Sequence, residues 1–287
     1  MRDGCHHAAA GSRRTLVCVA ISVLVRVACG SSGGVAKTIL RHDQVRMVTA
    51  SPAQHDSDAR SEFHQITYQG ERKQGLPDGH GTAYDPETGN KVYEGQFVKG
   101  LPDGDGTAYD RLTSKKVYAG HFVKGFRDGG GTAYDRETGK MVYEGQFVMD
   151  LRDGGGTAYD RETGKMVYEG QFVMDGRAYG TAYDRETGMK VYAGHFVMDL
   201  RDGGGTAYDR ETGKMVYEGQ FGKGLPDGGG TAYDRETGKM VYAGHFVKGF
   251  RDGHGTAYDP ETGKTVYEGQ FVKGLPDGIG GMVTEDK

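Results

Sequence analysis

A unit of 25 residues recurs through most of the chain, and that period constrains the fold more than any other feature. The tyrosine of a V-Y-x-G-x-F motif stands at Tyr93, Tyr118, Tyr143, Tyr168, Tyr192, Tyr217, Tyr242 and Tyr267, in steps of 25 residues except one of 24 from Tyr168 to Tyr192. A degenerate earlier copy occupies Ile66-Thr67-Tyr68-Gln69-Gly70. A fixed period of this size marks an array in which each unit buries its apolar face against its neighbours alone.

Within the unit, the stretch Tyr258 to Phe271, YDPETGKTVYEGQF, reads as a hairpin. Pro260 presets φ for a type I turn, Asp259 and Thr262 accept and donate local hydrogen bonds, and Gly263 supplies a positive φ. In most copies arginine replaces the proline, which type I geometry tolerates. Asp110-Arg111-Leu112-Thr113-Ser114 lacks the glycine and is expected to be the weakest turn. The 24-residue step comes from Phe172 to Thr181, FVMDGRAYGT, one residue shorter than its counterparts. Deletions favour loops, so this segment is expected to be a longer loop, each unit being strand, tight turn, strand, loop. Asp150, Asp175 and Asp199 replace Gly100 and its equivalents, a swap that suits a left-handed position.

Pairing Tyr258 with Thr265 and alternating outwards predicts two faces. One carries Thr256, Tyr258, Thr265, Tyr267, Gly269 and Phe271; the other carries Gly255, Ala257, Val266, Glu268 and Gln270. Glycine at position 269 leaves room for an aromatic ring to pack against the backbone.

The run Tyr93-Glu94-Gly95-Gln96-Phe97 through Gly100, Gly104 and Gly106 resembles the MORN repeat, membrane occupation and recognition nexus. The resemblance covers about residues 66 to 281, eight tandem units plus the degenerate copy. The sequence departs from the family in having phenylalanine where tryptophan is frequent, and in a longer Asp-x-Glu-Thr-Gly-Lys turn. The resemblance implies an all-β fold, an elongated, single-layer antiparallel β-hairpin array. At about 4.8 Å between strands, eight to nine units extend roughly 80 Å. The degenerate first copy and the tail from Ile279 to Lys287 are the expected caps.

Composition agrees with a thin structure. There are 51 glycines and 36% hydrophobic residues, too few to fill a thick core, yet all 18 tyrosines lie in the repeats. Aromatic cross-strand packing therefore replaces a large core. The three cysteines, Cys5, Cys18 and Cys29, precede the array, which uses neither disulfide nor thiolate metal site.

Residues 1–65 differ in kind. Arg13-Arg14, the apolar run Thr15 to Val25 and the exit Ala28-Cys29-Gly30 read as a secretory signal or organelle-targeting segment over residues 1–30. A twin-arginine signal fits the same residues. Residues 31–65 read as a disordered linker and 66–287 as the array. Localisation follows from that segment: secretory or organellar if it is active, otherwise cytoplasmic or membrane-associated.

No constellation in the array carries chemistry. Every aspartate and glutamate belongs to a repeated turn or strand, and no nucleophile stands beside a base, so no enzymatic activity and no catalytic residue are expected. The glycine runs lack the phosphate-loop pattern. His121, His195 and His245 occur with Ala119, Ala193 and Ala243, a two-unit duplication rather than a metal site, and no metal or cofactor is expected. Eight of the 36 basic and five of the 40 acidic residues lie in residues 1–65, so the array carries 28 and 35, a net of −7. That balance does not favour nucleic acid or anionic lipid. A stripe of Lys99, Lys124, Lys223, Lys248 and Lys273 along one edge is interrupted by the aspartate copies.

What remains is a surface. The function expected is a non-enzymatic scaffold that binds protein partners, at a membrane or cytoskeletal structure, with homo-oligomers through sheet edges. The candidate interaction face is aromatic: Tyr93, Phe97, Tyr118, Phe122, Tyr143, Phe147, Tyr168, Phe172, Tyr192, Phe196, Tyr217, Phe221, Tyr242, Phe246, Tyr267 and Phe271. The alternatives are a peripheral membrane phospholipid-binding module and a secreted carbohydrate or cell-wall binding module, the latter weakened by the absence of tryptophan.

Overall fold

The computed structural model describes residues 66–281. The targeting segment, the linker and the tail cap beyond residue 281 lie outside the described residues. Eighteen strands run from β1 (Thr67–Lys73) and β2 (Leu76–Tyr84) to β17 (Thr265–Val272) and β18 (Leu275–Gly281). Each pairs antiparallel with its sequence neighbours, as in β2 with β3 (Lys91–Val98) and β3 with β4 (Leu101–Tyr109), to make one open sheet of nine hairpins. The degenerate first copy is a complete hairpin, β1 and β2.

The segment expected to be a loop is itself a hairpin. After Phe97 the chain continues to Val98, turns through Lys99 and Gly100, and returns as β4. Both turn residues have positive φ, 50° and 89°, the type I′ geometry that matches strand twist. Asp150, Asp175 and Asp199 take the second position with φ of 71°, 69° and 62°, as their replacement of glycine suggests. The longer connection is the Asp-x-Glu-Thr-Gly stretch, residues 85–90 in the first instance. There Asp85 accepts from the amides of Glu87 and Thr88 and from the Thr88 hydroxyl, and the Gly89 amide closes on the Asp85 carbonyl.

The deletion falls inside a strand. Between β7 (Met141–Val148) and β8 (Leu151–Tyr159), pairing jumps from Phe147–Arg152 to Gly145–Gly156, leaving a wide bulge in β8. Between β9 (Met166–Val173) and β10 (Gly176–Tyr183), Phe172 pairs with Arg177 and Gln171 with Tyr179, so Ala178 alone is extra. A bulge already holds unpaired residues, and losing one leaves the ladder intact.

A second bulge corrects the predicted faces. Tyr258 does pair with Thr265, but Val266 is extra, so Ala257 faces Tyr267 and Thr256 faces Glu268. A one-residue slip moves side chains to the opposite face. Tyr258 and Thr256 thus leave the Tyr267–Phe271 face, and Ala257 joins it.

On that face the glycines pair with one another from strand to strand, as Gly81–Gly95, Gly95–Gly106 and Gly106–Gly120 show. Each core tyrosine lies back over this row and donates to the carbonyl three residues on, Tyr93 to Gln96 at 3.1 Å. A Cβ at Gly106 would stand 2.1 Å from the Tyr93 hydroxyl, so the row has to be glycine. The ring covering each glycine belongs to its own strand or the preceding one. Between the tyrosines stand the phenylalanines, each edge-on to two of them. Phe97 meets Tyr68 and Tyr93, both at 5.0 Å, and Phe122 meets Tyr93 at 5.1 Å and Tyr118 at 5.0 Å. Each edge-to-face contact adds about 0.5–1.5 kcal/mol to the area buried, which makes the zipper the core of the array.

Candidate interaction surface

The sixteen rings expected to form an interaction face are core instead: none exceeds 7% relative exposure. A single layer can bury them because rings are roofed by the second residue after a two-residue tip, either proline or arginine. Pro102 is fully buried opposite Phe97. Arg127 lies over Tyr118 and Phe147, Arg152 over Tyr143 and Phe172, and Arg177 over Tyr168 and Phe196, with centroid distances of 4.7–5.7 Å. Burial pushes up the phenols of Tyr118, Tyr168 and Tyr217, to about 12. The surfaces open to a partner are therefore the two edges, the outer face and the groove above the roof.

The tip edge is laced from unit to unit. The Gly100 amide donates to the Pro77 carbonyl at 2.8 Å, and the Lys99 amide to Asp78 Oδ2 at 3.3 Å. In the middle of the array the second tip residue is aspartate, and it clamps the roofing arginine of the preceding unit. Asp150 Oδ1 accepts from the Arg127 amide at 2.9 Å and Nε at 3.0 Å, while Arg127 Nη2 donates to the Asp150 carbonyl at 2.7 Å. Asp175 on Arg152 and Asp199 on Arg177 repeat the arrangement. Arg201 and Arg251 roof Tyr192 and Tyr242, but the following tips carry Gly224 and Gly274, and burial lowers the pKa of both guanidinium groups.

The opposite edge is laced through its turns. Lys115, Lys140, Lys165 and Lys214 each donate Nζ to a glutamate carbonyl of the following turn: Glu137, Glu162, Glu186 and Glu236. Arg111 reaches Asp85 with Nη2 at 2.5 Å, and hydrogen bonds led by the Thr88 amide hold Asp85 down to about 2.

Two features single out the centre. The first tip position is glutamine at Gln74 and lysine at Lys99, Lys124, Lys223, Lys248 and Lys273, but Met149, Met174 and Met198 in three consecutive tips, with relative exposures of 66%, 67% and 85%. Exposed Val148, Val173 and Val197 precede them. These methionines, rather than the aspartates, break the lysine stripe. The central units also border a cavity of about 700 Å³. Ala158, Val167, Ala182 and Val191 contribute its apolar lining, and charged groups from both edges, among them Arg177, Asp199, Asp184 and Arg185, also border it. Sequence reasoning missed this surface, although its signal was legible: Met-Asp replaces Lys-Gly in neighbouring units alone.

The histidines do not converge. His121 Nδ1 meets Asp105 at 3.0 Å, His195 the Gly204 carbonyl and His245 the Asp252 carbonyl, all exposed on separate strands. Among the described residues no group of three or more His, Cys, Asp or Glu is placed to hold a metal ion. No helix among them is long and apolar enough to cross a membrane, which leaves strands aside.

Comparison with known families agrees with the geometry. The MORN repeat family model matches residues 68–87, 93–109, 118–134, 143–159, 217–233, 242–261 and 267–286. The two unmatched units begin at Tyr168, the unit that carries the deletion, and at Tyr192, yet they fold as the same hairpins. No curated protein matches the chain.

Proposed function

The chain belongs to the MORN repeat family, whose arrays serve in protein and membrane interaction, and we propose that it is a non-enzymatic scaffold binding a protein partner across its central units. The observation that carries this reading is the set of exposed methionines, Met149, Met174 and Met198, on consecutive central tips, two of which place Asp175 and Asp199 at the border of the cavity. Contiguous exposed apolar side chains mark interaction sites, and methionine adapts its shape to a partner. The surrounding charge favours protein over anionic lipid. The central arginines Arg127, Arg152 and Arg177 are already held by aspartates, and the array carries a net of −7. Lipid headgroups call for uncommitted basic side chains.

The test exchanges the three methionines for lysine, the residue of the outer tips, where Lys99 adopts the same backbone with φ 50°. Wild type and the triple variant are compared by proximity crosslinking in the native cell, with circular dichroism as the fold control. Loss of the wild-type crosslinks in a folded variant supports the reading. An unchanged crosslink pattern overturns it, and retention on anionic vesicles would favour the phospholipid alternative.

A further inference from the structure

The two ends of the array are complementary, and we infer that copies of the chain associate head to tail, with β18 of one copy pairing with β1 of the next as an inner strand pair does. The inference stands independently of the partner proposed above.

It begins with phase. Inner strands alternate between two types: L-P/R-D-G-x-G-T-A-Y, as in β4, and x-V-Y-x-G-x-F-V, as in β3. The described array starts on the second type, with β1 TYQGERK, and ends on the first, with β18 LPDGIGG. The outer edge of β18 is therefore one that every inner equivalent pairs with a strand of β1 type. The last described residue of β18 and the first of β1 also fall at the side where the Asp-x-Glu-Thr-Gly turn joins the two types inside the array. A strand-to-strand junction there leaves both chain ends room to depart.

The unmet bonds match as well. Inside the array six of the eight tips donate two amides to the preceding unit, as at Lys99-Gly100 and Lys124-Gly125. Lys273 donates to Asp252 Oδ2 at 3.2 Å and Gly274 to the Arg251 carbonyl at 2.8 Å, and where the unit carries proline, as at Gly249 and Pro226, the carbonyl bond is the same. The first tip, Gln74-Gly75, has the same geometry, with φ of 53° and 82°, and among the described residues no unit precedes it. The acceptors it lacks are those that β18 offers, the Pro276 carbonyl and the Asp277 carboxylate, which no later described unit reaches. Proline at 276 does not block pairing, since Pro77, Pro102 and Pro226 occupy strands paired on both sides.

The ring zipper ends in the same sense. Every inner phenylalanine bridges two tyrosines, but among the described rings Tyr267 meets only Phe271. At the other end Arg72 holds the phenylalanine position of β1, over its own Tyr68 at 5.0 Å. Docking puts the Arg72 guanidinium between Tyr68 and the Tyr267 of the preceding copy, a cation–π sandwich in place of the ring. It also brings Arg72 toward Asp277. Pro276, exposed here whereas Pro102 is buried, gains the cover of a following unit. Association between unlike patches that does not close on itself gives open chains, not a two-fold dimer.

The register names the test. Inside the array Asp105 pairs with His121, and their side chains touch at 3.0 Å. The equivalent pair across the junction is position 279 of β18 and Glu71 of β1. In full-length chains with Cys5, Cys18 and Cys29 replaced by serine, two variants are prepared, Glu71→Cys and Ile279→Cys. Mild oxidation of their mixture is expected to give a covalent dimer at far higher yield than either alone. A chain carrying both substitutions is expected to give a ladder of multimers. Equal yields in the unmixed samples would mean like-with-like edges and overturn the proposal, as would no crosslink in the mixture. Sedimentation velocity supplies a second readout without cysteines. Asp277→Ala removes a charged acceptor from the junction and is expected to weaken association by roughly tenfold. Unaltered association of Asp277→Ala, or a wild-type chain that stays monomeric at every concentration, counts against it.

Discussion

Arg127 and Asp150 join neighbouring units through three hydrogen bonds, and the same guanidinium roofs Tyr118 and Phe147. One side chain therefore closes the core and ties one tip to the unit before it. Arg201 performs the first task without the second, because its following tip is Lys223-Gly224.

Gly224→Asp supplies the missing carboxylate. Gly224 has φ 90° and nothing within 4 Å of where a Cβ would stand, and Asp150 shows that aspartate accepts the left-handed backbone. Because these pairs are partly exposed, the expected gain is about 0.5–1 kcal/mol, smaller at high salt. Urea midpoints at low and high salt measure it; no gain at low salt would mean the clamp is ornamental to stability.

Gly229 and Gly230 make a matched pair. A Cβ at Gly230 would stand 2.2 Å from the Tyr217 hydroxyl, whereas nothing lies within 4 Å of one at Gly229. Gly230→Ala is expected to cost about 2–3 kcal/mol by overpacking. Gly229→Ala should stay within about 0.5 kcal/mol of wild type. Equal effects in chemical denaturation would show that the glycine row is not needed for the tyrosines.

Ser114 occupies the left-handed position that glycine holds in the other turns, with φ 57° against 75° at Gly263. Relieving that strain with Ser114→Gly is expected to stabilise the array by about 1 kcal/mol. A fall in thermal midpoint would contradict the strain assignment.

Stability is expected to fail at both extremes of pH. The turn aspartates are held low by threonine amides, Asp85 to about 2 from 3.8 and Asp160 in the same direction. The unfolded chain thus binds more protons in acid. This contribution is complete above the ordinary carboxylate range and is lost as pH falls through 3.8 toward 2. The buried phenols act at the other end. Burial raises Tyr118, Tyr168 and Tyr217 from 10.0 to about 12, so unfolded phenols ionise first and stability falls as pH rises across that interval. Denaturant midpoints across pH check both limbs, and a flat alkaline limb would mean the rings are open to solvent.

Much of the fold was legible because repetition exposes local chemistry. The 25-residue period gave the array, Asp259 and Gly263 gave the turn, and the aspartates at 150, 175 and 199 gave the left-handed tips. The face that carries Tyr267 and Phe271 was correct for those residues and wrong for Tyr258, since nothing in alternating polarity announces the extra residue at Val266. The deletion near Ala178 pointed to a loop because the alphabet of a bulge, Asp-Gly-Gly, is also that of a loop.

The candidate site was harder to read. A run of tyrosine and phenylalanine suits a binding face and a core equally, and which it is depends on what lies above the rings. That is decided by Pro102, Arg127 and their equivalents, which sequence places in a separate strand and only pairing brings over the zipper. The sequence alone determined the unit, its turns and its order along the chain, because those rest on contacts within a few residues. The tertiary structure decided register, roof and edges, because each is fixed only once strands lie side by side, whether the partners share a hairpin, as Ala257 and Tyr267 do, or belong to different units, as Arg127 and Asp150 do.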